Sequence, residues 1–238
     1  MLSAQPAGDR SRLLGIESLR KIPLFHDFGL AELSEVATLL EARRYRKHAI
    51  IVREGEAGDS LFVILAGSVA VVRIGHDGRE TILSILKERD FFGEMSIFDS
   101  APRSATVRAL NEVEVGAIER EDFLPLLDRN PKIGRLLVLA LAGRLRAANR
   151  SISAAVSQDI RARVAGLLLD LAANFGQPVA GGTRIALRLT NQEMANMIGT
   201  TRETVNRILN RFWDDQIIDM RTWHVVVLDP KRLRAIAA

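Results

Sequence analysis

Residues 189–209, LTNQEMANMIGTTRETVNRIL, hold two helix starts separated by one glycine. Thr190-Asn191-Gln192-Glu193 has the capping-box form, with a hydroxyl at the N-cap and a carboxylate three residues on; Met194, Ala195 and Ile198 then supply one apolar face. Gly199 suits the left-handed position that ends a helix. Thr200-Thr201-Arg202-Glu203 repeats the capping form, which sets the second N-cap at Thr200, and Val205, Ile208, Leu209 and Phe212 give the next helix its buried stripe. Two short helices joined by so tight a turn predict a helix-turn-helix.

Thr201, Arg202, Glu203, Asn206, Arg207 and Asn210 face away from that stripe. An arginine can donate twice to guanine O6 and N7 in the major groove, and a glutamate can accept from cytosine N4, so Arg202, Glu203 and Arg207 form a base-reading set. A solvated helix face carries the same residue types; the double cap around a glycine turn favours the DNA-reading arrangement. Downstream, Ile217–Met220 and His224–Leu228 form a hairpin around Arg221-Thr222-Trp223, the wing of a winged helix-turn-helix. Residues 158–238 hold eleven Lys and Arg against eight Asp and Glu, so most of the chain's formal charge of +4 lies here. A charge this mild permits nucleic-acid binding without demonstrating it.

Upstream, Ile133, Leu137, Leu141, Leu145, Ala148, Ile152 and Ala155 recur mostly in alternating steps of four and three. That spacing is a coiled-coil seam, with Leu137, Leu141, Leu145, Ala148 and Ile152 as the dimerisation residues; the alternative is a helix packed on its own domain. Asp159 follows as the N-cap of another helix, Ile160 to Phe175. Further back, residues 1–12 form a small, polar tail, and Leu30–Leu40 has helical apolar spacing. Between Arg43 and Glu119 come short apolar runs punctuated by glycine: Ala49–Val52, Leu61–Leu65, Val69–Ile74, Thr81–Leu86, Thr106–Ala109 and Val113–Ile118, with His76-Asp77-Gly78 as a hairpin turn. Closely spaced short strands predict an antiparallel barrel or jelly roll. The expected chain is α+β: an N-terminal antiparallel β jelly roll (1–130), a long dimerisation helix (131–157) and a C-terminal winged helix-turn-helix (158–238).

In the first domain, Phe91-Phe92-Gly93-Glu94-Met95-Ser96 and Pro102-Arg103-Ser104-Ala105 read as a glycine turn, a short helix start and an Arg-Ser pair. Backbone N–H groups at a helix start together with a guanidinium make an anion cradle, and a nearby carboxylate can accept from a sugar hydroxyl. By itself the pattern fits a structural salt bridge equally well.

The segment 189–209 resembles the helix-turn-helix of the CRP/FNR family, of the cyclic-AMP receptor protein branch in particular. The branch's Arg-Glu-x-x-x-Arg is matched by Arg202, Glu203 and Arg207, and its phosphate-contacting Thr by Thr190; a Lys one turn later is replaced by Asn210. The resemblance therefore implies a DNA-contacting set of Thr190, Gln192, Thr201, Arg202, Glu203, Asn206, Arg207 and Asn210. The 91–105 stretch is similar to the phosphate-binding cassette of cyclic-nucleotide-binding domains, and Gly55-Glu56-Ala57-Gly58-Asp59 with Gly67 matches their glycine signature. This implies Arg103 and Ser104 on a cyclic phosphate, Glu94 on the ribose 2′-hydroxyl and Gly93 giving close backbone approach, with Met95 and Ser96 in the same ligand-binding set. Where cyclic-AMP-responsive members place Thr-Ser against the adenine, this chain has Ala148-Asn149, which leaves cyclic AMP and cyclic GMP both open as effectors. The implied function is allosteric control of transcription by a homodimer on a palindromic operator in double-stranded DNA, with RNA polymerase as a further partner. The alternative is a regulator of the same family whose nucleotide pocket is vestigial or takes another ligand.

Composition removes other classes. With no cysteine, disulfides, zinc-thiolate sites, iron–sulfur clusters and a Cys nucleophile are excluded, and neither a metal nor a haem is expected. The four histidines, His26, His48, His76 and His224, lie in separate segments, so no nucleophile–base constellation supports an enzyme. No apolar run reaches the roughly 20 residues of a membrane span or the form of a signal peptide, and a cytoplasmic protein is expected.

Overall fold

The computed structural model describes residues 16–238 apart from His76 and Thr222, so the expectations for the 1–12 tail and for His76 in its turn fall outside the described residues. The chain divides into two compact units between Leu145 and Arg146. The division lies inside one helix, whereas the sequence reading placed boundaries at that helix's two ends.

The first unit begins with α1 (Ile16–Arg20), a single 3₁₀ turn (Pro23–Phe25) and α2 (Leu30–Leu39). Eight strands follow: β1 (Glu41–Tyr45), β2 (Ile50–Val52), β3 (Ser60–Ala66), β4 (Ser68–Ile74), β5 (Glu80–Lys87), β6 (Phe91–Phe92), β7 (Thr106–Ala109) and β8 (Val113–Glu119). A short helix, α3 (Glu94–Asp99), sits between β6 and β7; α4 (Arg120–Arg129) and α5 (Pro131–Ser157) come after β8. The strands form two four-stranded antiparallel sheets, ordered β1-β8-β3-β6 and β2-β7-β4-β5.

Strand β3 shows why the sequence folds this way. Its alternate side chains point to opposite faces, and both faces are covered. Phe62 and Ile64 enter the core between the sheets with Val69, Leu86, Phe92, Val107 and Val115. Leu61 and Val63 enter a second core with Leu33 and Val36 of α2, Phe123 and Leu126 of α4, and Ile133 and Leu137 of α5. Two-sided burial explains the unbroken apolar run Leu61–Leu65. Gly116 on β8 leaves room for Leu40, since a Cβ there would lie 2.5 Å from Leu40 Cδ2 and force that buried side chain to shift.

Helix α5 revises the expected seam. Leu137 is 2% exposed and belongs to its own domain's core, so the burial that the sequence reading assigned to a partner helix is supplied within the chain. Leu141 is half-buried. Leu145 and Ile152 are each 63% exposed, Ala148 is also exposed, and Val138, Leu139 and Val156 join them as exposed apolar side chains.

The second unit contains α6 (Ile160–Phe175), β9 (Gly176–Val179), β10 (Gly182–Ile185), α7 (Asn191–Ile198), α8 (Arg202–Asp214), β11 (Ile218–Asp219), β12 (Val226–Val227) and α9 (Pro230–Ala237). The Asp159 carboxylate accepts from the Ala162 N–H at 2.7 Å, the N-cap role expected of it. The wing strands β11 and β12 join β10 and β9 in one antiparallel sheet, ordered β11-β12-β10-β9. Met194, Ala195, Ile198, Val205, Leu209 and Phe212 are buried alongside Val164, Leu168 and Leu233. Among the described residues no helix is long and apolar enough to cross a membrane.

Candidate functional site

Arg103 anchors the site in the first unit. Arg103 is 6% exposed, and its guanidinium donates to Gly93 O and to Ser60 O, each at 2.9 Å. The Phe62 ring lies 5.6 Å beneath it, stacked in turn on Phe92. Two of the five guanidinium donors are thus spent on neutral carbonyls, and among the described residues no carboxylate lies within ion-pair distance of Arg103. Burial pushes its pKa below the ordinary arginine value, while the more distant carboxylates of Asp59, Glu119 and Glu94 act in the opposite direction. A buried cation with donors to spare and no anion beside it is built to receive one.

The glycines make room for this arrangement. Gly93 has φ 87°, and a Cβ there would lie 2.6 Å from Arg103 Nη1 and 2.7 Å from Ser60 O. At Gly58 a Cβ would lie 1.9 Å from Arg103 Nε. Gly93 is also the N-cap of α3 and brings no side chain to the first-turn N–H groups, which stay available to an acceptor. Ser104 is exposed beside it, its hydroxyl 3.4 Å from Met95 Sδ; Met95 is itself exposed, and Ser96 is buried.

Glu94 is 4% exposed, and its carboxylate accepts from Arg144 Nη1 at 2.9 Å. Arg144 also donates to Phe91 O and lies 4.7 Å over the Phe91 ring. The sequence reading passed over Arg144. It is the first of three closely spaced arginines on α5, Arg144, Arg146 and Arg150, and nothing in their spacing singles it out from a solvated helix face. Ala148 and Asn149 lie one turn further along α5, exposed, in the second unit.

In the second unit Thr190 caps α7. Its hydroxyl accepts from the Glu193 N–H, and the Glu193 carboxylate accepts from the Thr190 N–H, closing the capping box. Gly199 ends the helix at φ 66°. The second cap differs from the expectation by one residue. Thr201, and not Thr200, is the N-cap of α8, accepting from the Thr204 N–H at 3.3 Å. Glu203 is therefore not spent on a cap. Thr201, Arg202, Glu203, Asn206, Arg207 and Asn210 all lie exposed on α8 and its cap, opposite buried Val205, Leu209 and Phe212. Asn206 accepts from Asn191 at 3.0 Å, and Gln192 donates to Asn196 at 2.8 Å. An exposed helix edge with two arginines, a carboxylate and two amides offers the donors and acceptors that base edges in the major groove require.

Residues 42–130 match the family model described as a cyclic nucleotide-binding domain, and residues 162–236 match a Crp-like helix-turn-helix domain. The chain is 33% identical over 217 residues to a CRP-like cAMP-activated global transcriptional regulator of Mycobacterium tuberculosis, covering 91% of this chain and 97% of that one. It is 31% identical to the cyclic AMP receptor protein of Thermus thermophilus, covering 90% of this chain and 96% of that one. Among solved structures, the c-di-GMP-responsive global regulator CLP of Xanthomonas campestris superposes with a TM-score of 0.73 at 26% identity, over 84% of this chain and 99% of that one.

Proposed function

Because this chain belongs to the CRP/FNR family of DNA-binding transcription regulators, we propose that a cyclic nucleotide held at Arg103 sets how tightly its homodimer grips an operator. The observation that carries the proposal is the unpaired, buried guanidinium of Arg103 framed by Gly58 and Gly93. Arg103 and Ser104 would hold the cyclic phosphate, and Glu94 would accept from the ribose 2′-hydroxyl. Since Glu94 is already tied to Arg144, a hydroxyl arriving at that carboxylate competes with, or tightens, a contact made by α5. That gives the ligand a differential interaction through which to bias the chain between states.

Cyclic AMP is the favoured effector, because the Mycobacterium and Thermus relatives are named for it. The Xanthomonas neighbour responds to a different nucleotide on the same fold, so the base-facing residues decide, and Ala148 and Asn149 are assigned that role. The regulator acts in the cytoplasm, and its partners are a palindromic operator and RNA polymerase. A thermal-shift series with cyclic AMP, cyclic GMP and cyclic di-GMP tests the effector. Ligand at one hundred times its Kd adds about 2.7 kcal/mol to stability, an unmistakable rise in Tm. No rise with any of them favours the vestigial-pocket alternative.

Gly58→Ala is expected to weaken nucleotide binding by about 1–2 kcal/mol, because the new methyl forces the guanidinium off its two carbonyls. Titration calorimetry checks this, and wild-type affinity would mean that Arg103 works from another position. On DNA, Arg207→Ala is expected to cost about 1–3 kcal/mol on the operator and to relax preference at one base pair, with little change on random duplex. Equal losses on both duplexes would make Arg207 a phosphate contact.

A further inference from the structure

The two carbonyls that take the Arg103 guanidinium stand at the starts of two elements: Ser60 opens β3, and Gly93 is the N-cap of α3. A guanidinium held this way is aimed only as well as the segments that carry its acceptors are fixed. Both segments are tied to one dipeptide, Glu119-Arg120, where β8 ends and α4 begins. Ser60 lies opposite Glu119 in the β3–β8 ladder, and its hydroxyl donates to the Glu119 carboxylate, 3.0 Å from each oxygen. The Arg120 N–H donates to Asp59 O at 2.6 Å, one residue ahead of Ser60. At the other wall, the Arg120 guanidinium donates to Ser100 Oγ at 2.9 Å; Ser100 ends α3 in the left-handed conformation, φ 56°. Helix α3 has six residues, so a hold on its last residue also restrains Gly93.

Glu119 has little else to do. Its side chain is 45% exposed, and Arg43, 3.5 Å away, has a closer partner in Glu41 at 2.6 Å. Its charge opposes an arriving phosphate, so what it can contribute to an anion site is the hydrogen bond. We propose that Glu119 and Arg120 are positioning residues for the nucleotide site: neither touches the ligand, and together they hold Ser60 O and Gly93 O at the spacing that aims the remaining donors of Arg103 at the phosphate. The inference rests on the reading of Arg103 as the nucleotide anchor and adds the residues that set its aim.

The test is calorimetric titration of full-chain variants with cyclic AMP and with cyclic GMP, well below each variant's Tm and in about 0.5 M salt, where screening over a few ångströms silences the carboxylate's charge. Glu119→Ala and Ser60→Ala should each bind about fivefold more weakly, the scale of one net hydrogen bond, and the double variant no more weakly than either, because the two groups make one contact. Glu119→Gln keeps an oxygen for the Ser60 hydroxyl and should regain parent affinity. Arg120→Met should also lose about fivefold, by releasing Ser100. Parent-like affinity in Glu119→Ala or Arg120→Met, with only Tm lowered, overturns the role of that residue. Independent losses in the Ser60→Ala, Glu119→Ala double variant, or a Glu119→Gln as weak as Glu119→Ala, also overturn the proposal. A parent protein that binds neither nucleotide removes the nucleotide reading and this inference with it, and that result is told apart because the parent itself fails.

Discussion

Arg103→Ala should bind cyclic AMP and cyclic GMP alike at least a hundredfold more weakly than the parent protein. The cyclic phosphate is common to both nucleotides, and burial has already stripped Arg103 of water without giving it a carboxylate. Removing one member of a buried charge pair costs roughly 3–5 kcal/mol, because the other charge is left in a poorly solvated site. The same substitution leaves Gly93 O and Ser60 O without their donor, so the Tm of the ligand-free protein should fall too. Arg103→Lys separates the two effects. It keeps the charge and loses the planar fork that spans two carbonyls, and it should recover part of the affinity. Calorimetric titration of each variant with each nucleotide decides the matter. Parent-like affinity in Arg103→Ala would place the nucleotide elsewhere, and loss of one nucleotide alone would mean that Arg103 faces the base.

Ile152→Asp should convert the proposed homodimer to monomers at micromolar concentration, as light scattering would report. Ile152 is 63% exposed in the single chain, so the change leaves the protomer's own core intact and acts only on what covers α5. Across a two-fold axis the same patch meets itself, which sets the introduced carboxylates near each other in place of an apolar contact. Operator affinity should fall with dimerisation, by a factor on the order of 10²–10⁴, because the second half-site is no longer bound intramolecularly. Leu145→Asp should behave alike. Leu137→Asp would not be informative, since it strikes the buried core. A stable dimer in both exposed-site variants would remove α5 from the interface.

What could be read from the sequence follows from where the information sits. The helix-turn-helix was legible because its signals are local: Thr190, Glu193 and Gly199 each act within one turn of chain. Even there the second cap slipped by one, as Thr200-Thr201 offers two hydroxyls and only backbone geometry selects Thr201. The jelly-roll strands were legible as apolar runs because β3 and its neighbours are buried on both faces. Strands β9 and β10 were missed. Gly176-Gln177-Pro178-Val179 and Gly182-Thr183 have linker composition, and the glycines are there for close packing: a Cβ at Gly182 would lie 2.3 Å from Val227 O. Helix α9 was missed as well; its one buried anchor, Leu233, makes no pattern by itself. In the candidate site, Arg103 and Glu94 were named, yet the pairing of Glu94 with Arg144 joins residues 50 positions apart, and no spacing rule carries that contact.

If one chain couples a nucleotide in its first unit to DNA at its second, each ligand must raise the affinity for the other. Affinity for a duplex with two inverted TGTGA-like half-sites, the operator form that the resemblance to the cyclic-AMP receptor protein branch implies, is measured with and without saturating cyclic AMP, and affinity for cyclic AMP with and without saturating duplex. Linkage requires the two ratios to be equal, and coupling on the scale of known allosteric proteins puts them at about 5–150-fold in favour of the doubly bound state. A ratio of one in both directions, with both ligands bound, would mean that nucleotide and DNA bind independently and that the chain is not an allosteric regulator.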